Sequence, residues 1–138
     1  MTITFTTNTI RLLTLFENVT NVPVRDCFVF NGTVYFIVEQ GKIGLAIGRN
    51  GNCVKNIERI TGKKIKVYEH SPDPEEFIKN LIPQCKEIEI IDENGRMIVE
   101  IKVDKKDRGF VIGREGENIK VYKQILKRIH DVSDLTVR

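Results

Sequence analysis

Two short stretches of sequence decide the fold of this chain: IGRNG at residues 47–51 and IGREG at residues 112–116, 65 positions further on. Each is a Gly-x-x-Gly turn between two apolar, periodic segments. Glycines leave the backbone of such a turn without Cβ atoms, so a large polyanion can reach the main-chain N–H groups where the next helix starts. The turn is therefore a candidate phosphate-binding device, and the chain carries it twice.

The similarity of the two stretches continues into their flanks without a gap. The aligned pairs are Gly44 with Gly109, Leu45 with Phe110, Val54 with Ile119, Lys55 with Lys120 and Ile60 with Ile125. Upstream, Asn31-Gly32 and Asn94-Gly95 each separate two strand-like runs, and Asn-Gly favours a tight hairpin because both residues tolerate positive φ. The sequence thus predicts one structural unit in two copies.

Each copy has the predicted order helix, strand, strand, helix, Gly-x-x-Gly turn, helix, strand. Apolar residues recur at helical spacing after each turn, and the first of these helices is predicted to stop at Thr61-Gly62. A half-exposed strand is expected over residues 64–69, and Asp73-Pro74 is a strong start signal for the leading helix of the second copy. The short, stiff link at residues 70–74 predicts two packed domains with one shared surface, over residues 1–70 and 71–138.

These residues resemble the KH domain family, whose hallmark is an Ile-Gly-x-x-Gly loop between two short helices. A leading helix, with no helix after the last strand, resembles the type II (prokaryotic) arrangement. The resemblance implies an α+β fold of two tandem type II KH domains, each α-β-β-α-α-β with a three-stranded mixed sheet and helices on one face. The short link and residues 41–48 are similar to the KH portion of the NusA family of transcription factors, in its short archaeal form.

That resemblance implies a protein that binds single-stranded RNA in transcription termination or elongation, with RNA polymerase or a transcription complex as a further partner. The loops would hold the RNA backbone, and an apolar groove would receive bases. The predicted RNA-binding residues are Gly48, Arg49, Asn50, Gly51, Gly113, Arg114, Glu115 and Gly116 in the loops, Lys42, Lys55, Lys64, Lys66 and Lys120 as basic neighbours, and Ile47, Val54, Ile65, Ile112 and Ile119 as groove walls. Some of these aliphatic residues are expected to face the core instead. Glu115 should make the second loop the weaker phosphate site.

The charge of the chain is uneven. The net charge is +3, but residues 1–70 hold nine Lys or Arg against five Asp or Glu, whereas residues 71–138 hold thirteen against fourteen. The three cysteines are scattered and odd in number, which fits a reducing compartment and small buried side chains. No apolar run approaches the length of a membrane span, so we expect a cytoplasmic, monomeric protein without membrane contact.

An enzyme would need a recognisable set of catalytic residues, and we find none in the sequence. No Lys-Ser or Lys-Thr pair follows Gly51 or Gly116, as a Walker loop would require, and His70 and His130 are isolated. We therefore expect no catalytic residues, no metal site and no cofactor. An RNA-binding factor of ribosome assembly is the alternative function, because it would use the same site, and a pure scaffold is the third.

Overall fold

The structure is a computed structural model, and it describes residues 7–138. The first six residues of the predicted first domain lie outside that range. The chain divides into two compact units, and the boundary falls between Ser71 and Pro72, one residue beyond the predicted limit. Over the described residues, each unit contains three α-helices and one three-stranded sheet in the same order along the chain.

The first unit contains α1 (Thr7–Thr20), β1 (Val24–Phe30), β2 (Thr33–Val38), α2 (Ile43–Ile47), α3 (Asn52–Thr61) and β3 (Lys64–Glu69). The second contains α4 (Pro74–Leu81), β4 (Cys85–Glu93), β5 (Arg96–Val103), α5 (Lys105–Ile112), α6 (Glu117–His130) and β6 (Val132–Val137). A single 3-10 turn separates α2 from α3, at Arg49–Gly51, and α5 from α6, at Arg114–Gly116.

Both sheets are mixed, as expected for an α+β fold. The strand orders are β1-β2-β3 and β4-β5-β6, the first pair in each being antiparallel and the second parallel. Asn31 and Gly32 form the first hairpin turn with φ of 49° and 77°, and Asn94 and Gly95 form the second with φ of 54° and 79°. The predicted hairpins are thus confirmed, and β3 and β6 lie at sheet edges.

One face of the first sheet packs against the helices. The rings of Phe16 on α1 and Phe36 on β2 stack with centroids 4.1 Å apart, and Ala46 and Ile57 bring α2 and α3 into the same buried cluster. This packing fixes the positions of the two helices that flank residues 48–51.

The second unit has its own buried core. Asp73 caps α4 by accepting a hydrogen bond from the Glu75 N–H at 3.2 Å, and Pro74 occupies the first turn, as the sequence predicts. The fully buried side chains include Phe77, Ile78, Leu81, Ile101, Ile125, Leu126 and Leu135. They come from α4, β5, α6 and β6, so the sheet and its helices share one core.

Candidate nucleic-acid interface

The two Gly-x-x-Gly loops have the same backbone conformation. Gly48 has φ 80° and ψ 172°, and Gly113 has φ 78° and ψ 171°. The third residue of each loop is left-handed, with φ of 55° at Asn50 and 58° at Glu115, although neither is a glycine. The two turns therefore have the same backbone structure.

The first residue of each loop must be glycine for two reasons: its φ is positive, and a Cβ atom would overlap the following helix. A Cβ atom on Gly48 would lie 2.6 Å from Cys53 Sγ and 2.9 Å from the Cys53 backbone nitrogen. At Gly113 the corresponding contacts are 2.8 Å to Asn118 Cγ and 2.9 Å to the Asn118 backbone nitrogen. The loop backbone thus packs directly on the first turn of the following helix.

The second glycine of each loop has room for a Cβ atom, which would make only ordinary van der Waals contact. The nearest atom to a Cβ on Gly51 would be Lys55 Cε at 3.8 Å, and on Gly116 it would be Ile119 Cγ2 at 3.7 Å. Each of these glycines is the N-cap of its helix, and neither end carries a side-chain capping bond. The amides of a helix N-terminus carry partial positive charge, which favours an anion at this position.

The two loops differ in charge. Arg49 and Asn50 are exposed, and the first turn of α3 contains no acidic residue. Glu115 is exposed beside Arg114, and the first turn of α6 begins with Glu117. Two carboxylates thus oppose anion binding at the second loop, so the first loop is the more electropositive.

The loops also differ in the side-chain hydrogen bond that connects their two flanking helices. The Asn118 side-chain amide donates to the Phe110 carbonyl at 2.8 Å, which ties the start of α6 to the last turn of α5. The equivalent residue in the first unit is Cys53, whose thiol is at most a weak hydrogen-bond donor. The second loop is therefore held by a side-chain hydrogen bond that Cys53 cannot form with the same strength.

The predicted neighbours of the loops have different environments. Lys42, Lys55 and Lys120 are exposed, Ile47 is 38% exposed, and Val54, Ile112 and Ile119 are half-buried. These residues lie on the helices that flank the loops, because α2, α3, α5 and α6 carry them all except Lys42, which is the N-cap residue of α2.

The predictions on β3 need correction. Ile65 is only 5% exposed and belongs to the core cluster beneath the helices, so its side chain is not available to receive a base. Lys64 and Lys66 alternate with Ile65 along the strand and therefore extend from the opposite face of the sheet, away from the helices that carry the loop. Burial lowers the pKa of the half-buried Lys66, and the nearby charge of Lys64 lowers it further.

Two residues next to the loops were not among the predicted site residues. Leu45 is 62% exposed and Phe110 is 65% exposed, and both are large apolar side chains four positions before the loop arginine of their unit. A sequence signal was available, because the two positions align in the repeat and lie on the same turn as Ile47 or Ile112. Exposed apolar side chains at matched positions indicate a binding surface.

Other kinds of site receive no support within residues 7–138. No group of three or more His, Cys, Asp or Glu side chains in this range could hold a metal ion. Among the helices described, none has the length and apolar character needed to cross a membrane.

Comparisons with known proteins agree with this geometry. A KH domain model matches residues 33–95, a range that includes the first loop. The probable transcription termination protein NusA of Methanocaldococcus jannaschii is 34% identical over 96% of this chain and 73% of its own length. The protein of the same name from Halococcus morrhuae is 32% identical over 98% of both chains.

A solved structure also has the same fold over nearly the whole chain. The crystal structure of APE1850 superposes with a TM-score of 0.83 and 35% sequence identity, covering 97% of this chain and 100% of the other. The identity to the two archaeal proteins extends over both units, well beyond the range of the KH match. The chain therefore contains a KH domain and belongs to the family of the archaeal NusA proteins.

Proposed function

We propose that this protein is two tandem type II KH domains, over residues 1–70 and 71–138, that bind single-stranded RNA during transcription termination or elongation. The single observation that carries the proposal is the identical Gly-x-x-Gly backbone in both units, each followed by a helix whose N-terminus has no side-chain cap. The names of the archaeal relatives supply the transcriptional role.

The loop backbone and its basic neighbours hold the sugar–phosphate chain. Gly48 and Gly51 keep Cβ atoms away from the start of α3, where the N–H groups attract a phosphate. Arg49 and Lys55 lie on either side of Gly51 in the sequence and add full positive charges that are exposed. Charge-assisted hydrogen bonds to phosphate oxygens are stronger than neutral ones, so this loop provides most of the affinity.

The exposed and half-buried apolar side chains of the flanking helices contact the bases. In the first unit these are Leu45, Ile47 and Val54, and in the second Phe110 occupies the position of Leu45. Unpaired bases expose apolar faces, and a KH loop clamps about four nucleotides. An aromatic ring stacks on a base more strongly than an aliphatic side chain does, which compensates for the weaker charge of the second loop.

Two units on one chain strengthen binding to a single RNA. Once one loop is engaged, the second binds at the effective concentration set by the tether, without any new kind of contact. We expect a monomer to suffice for this, and neither a metal ion nor a catalytic group takes part.

The test is the double substitution Arg49→Asp with Asn50→Asp, which keeps both glycines. Because it places two carboxylates where the phosphates would lie, affinity for a single-stranded oligoribonucleotide should fall by about tenfold or more at fixed salt. The slope of log affinity against log salt should also flatten, as fewer counterions are released. Fluorescence anisotropy measures both quantities.

A matched control is available on α1 of the same unit. Arg11→Asp with Asn18→Asp makes the same change of residue types and of net charge at two exposed positions. This variant should lose far less affinity than the loop variant. Equal losses would mean that only net charge matters, and an unchanged affinity of the loop variant would contradict the proposed site.

The transcriptional role is tested separately by copurification from cells. RNA polymerase and nascent transcripts are the expected partners. Recovery of ribosomal subunits instead would favour a ribosome-assembly factor that uses the same RNA-binding surface.

A further inference from the structure

A cavity of about 530 Å³ lies between α1 and α3 of the first unit, directly after the Gly-x-x-Gly loop. This volume is in the range of pockets that hold a small ligand or a few side chains of a partner. Of the lining residues, Lys55 alone belongs to the proposed RNA surface. The residues that line this α1–α3 groove are Val19 of α1 and Asn52, Cys53, Lys55, Asn56 and Arg59 of α3.

The α1–α3 groove and the surface proposed to contact bases lie on different sides of α3. Each residue of an α-helix is rotated by about 100° from the one before it, so Asn56 lies about 160° around the axis from Val54. Ile60 follows Asn56 by four positions and therefore lies on the groove side, where it is 57% exposed. A ligand in the groove thus leaves Val54 accessible to RNA.

The groove combines positive charge with apolar surface. Lys55 and Arg59 are exposed and one helical turn apart, and within residues 7–138 neither forms an ion pair. Asn56 Oδ1 accepts a hydrogen bond from Arg59 Nη2 at 2.7 Å, which orients the guanidinium group. No carboxylate is among the lining residues, and Val19 and Ile60 provide the apolar surface. A matching ligand carries anionic groups beside an apolar group.

The corresponding helix face of the second unit is buried. Val121 and Ile125 align with Asn56 and Ile60 in the repeat, and they are 3% and 0% exposed. The first unit therefore leaves open to solvent a helix face that is covered in its copy.

The charge of this face also differs between the units. In the second unit Glu117 stands in place of Asn52, and Gln124 stands in place of Arg59. These two differences add a carboxylate and remove a cation. The Gly-x-x-Gly loops are duplicated, whereas the basic, open groove belongs to the first unit alone, which argues for a role separate from the RNA binding proposed for both loops.

The side chains of the groove fit an acidic peptide better than a nucleic acid. Single-stranded nucleic acids stack their bases on aromatic rings, and the lining residues include none. A planar carboxylate matches the fork of an oriented guanidinium group. An aspartate or glutamate next to a leucine or isoleucine supplies both groups within one short segment of a partner protein.

We propose that the α1–α3 groove binds an acidic, amphipathic segment of a partner protein. An apolar side chain of the segment packs against Val19 and Ile60, and neighbouring carboxylates pair with Arg59 and Lys55. Because the segment and an RNA strand occupy opposite sides of α3, the first unit can hold both at once.

The experiment selects peptides from a random phage-displayed library on the immobilised full-length protein. The enriched sequences should place Asp or Glu next to Leu, Ile or Phe. A synthetic copy of the most enriched peptide is then titrated with wild type, Arg59→Glu and Ile60→Ser by fluorescence anisotropy. Each substitution should lower the affinity by about tenfold, because it removes a charge-assisted hydrogen bond or the apolar contact. Enriched sequences without an acidic bias, or equal affinities of wild type and Arg59→Glu, would overturn the inference.

The control variant is Lys64→Glu, which makes the same change of charge on the opposite face of the sheet in the same unit. It should lower the peptide affinity far less than Arg59→Glu does. A measurement on the wild type covers the case in which a variant does not fold: saturation with the peptide should shift the Ile60 methyl resonances and leave those of Ile47 in place. The reverse pattern would place the peptide at the RNA surface and refute the proposal.

Two other occupants of the groove are distinguished by the same variants. If Arg59→Glu lowers RNA affinity as much as Arg49→Asp with Asn50→Asp does, the groove belongs to the RNA surface, so this inference fails while the proposed function stands. If the protein without peptide is a dimer that Arg59→Glu dissociates, the groove holds a second copy of the chain and the inference also fails. Loss of peptide affinity in Arg59→Glu, with RNA affinity lost only in the loop variant, supports both proposals.

Discussion

Gly48→Ala should destabilise the first unit far more than Gly51→Ala, although both change the same loop in the same way. With φ 80° and ψ 172°, Gly48 occupies a region that is essentially restricted to glycine, at a cost of about 1–3 kcal/mol for another residue. The added Cβ would also lie 2.9 Å from the Cys53 backbone nitrogen, which cannot move without shifting α3. Relieving such an overlap costs about 1–3 kcal/mol more.

Gly51 has φ 74° and ψ 16°, the ordinary left-handed conformation, and its Cβ would meet nothing closer than 3.8 Å. The cost there is about 1–2 kcal/mol. Replacing glycine by alanine also restricts the unfolded chain, but this effect is the same at both positions and cancels in the comparison. We therefore expect Gly48→Ala to lower the free energy of unfolding by about 2 kcal/mol more than Gly51→Ala does.

The assay is urea denaturation followed through assigned amide resonances of each unit separately, because two compact units need not unfold together. The chain contains no Trp, so intrinsic tryptophan fluorescence is not an option. Gly113→Ala and Gly116→Ala repeat the comparison in the second unit, where a Cβ on Gly113 would meet Asn118 at 2.8 Å. Equal destabilisation by the two alanines of a pair would refute the reasoning, since it would mean that the close approach of loop and helix does not constrain the first glycine.

Two further predictions concern side chains of the second unit. Asn118→Ala removes the hydrogen bond to the Phe110 carbonyl, so it should lower the free energy of unfolding of the second unit by about 1 kcal/mol. Amide hydrogen exchange of the loop at residues 113–116 should become faster. An unchanged exchange rate would show that this hydrogen bond does not order the loop. Asp134→Asn should cost at most about 1 kcal/mol at pH 7, because the 3.2 Å ion pair of Asp134 with Lys123 is solvent-exposed and asparagine keeps a side-chain oxygen that can accept from the Leu135 N–H. The pKa of Asp134 is lower in the folded protein than in the unfolded chain. The stabilisation from its ionised carboxylate is therefore fully present above the unfolded pKa of about 3.8, and it is lost as the pH falls through the folded-state pKa. The difference between wild type and Asp134→Asn in denaturation experiments should therefore vanish in strong acid, and a difference that grows with acidification would contradict the ion pair.

The strand over residues 64–69 shows where reading the sequence succeeded and where it failed. Its extent was predicted correctly, because alternation of lysines with Ile65 and Val67 is typical of a half-exposed strand. The same alternation implies that Ile65 and the lysines cannot serve one site together, since successive side chains point to opposite faces. Assigning both sets to the RNA surface overlooked this constraint. The structure resolves it by burying Ile65 and by directing the lysines to the other face.

The sequence alone determined the features that depend on neighbouring residues. Asn-Gly pairs set the hairpins, glycines at fixed spacing set the loops, and apolar periodicity set the helices, because sterics and hydrogen bonding within a few residues control backbone conformation. Only the tertiary structure decided that Glu58 of α3 accepts a hydrogen bond from the Ile65 amide of β3, and that Lys123 of α6 pairs with Asp134 of β6. These contacts depend on how a helix packs beside a sheet edge, which residues far apart in the chain determine together.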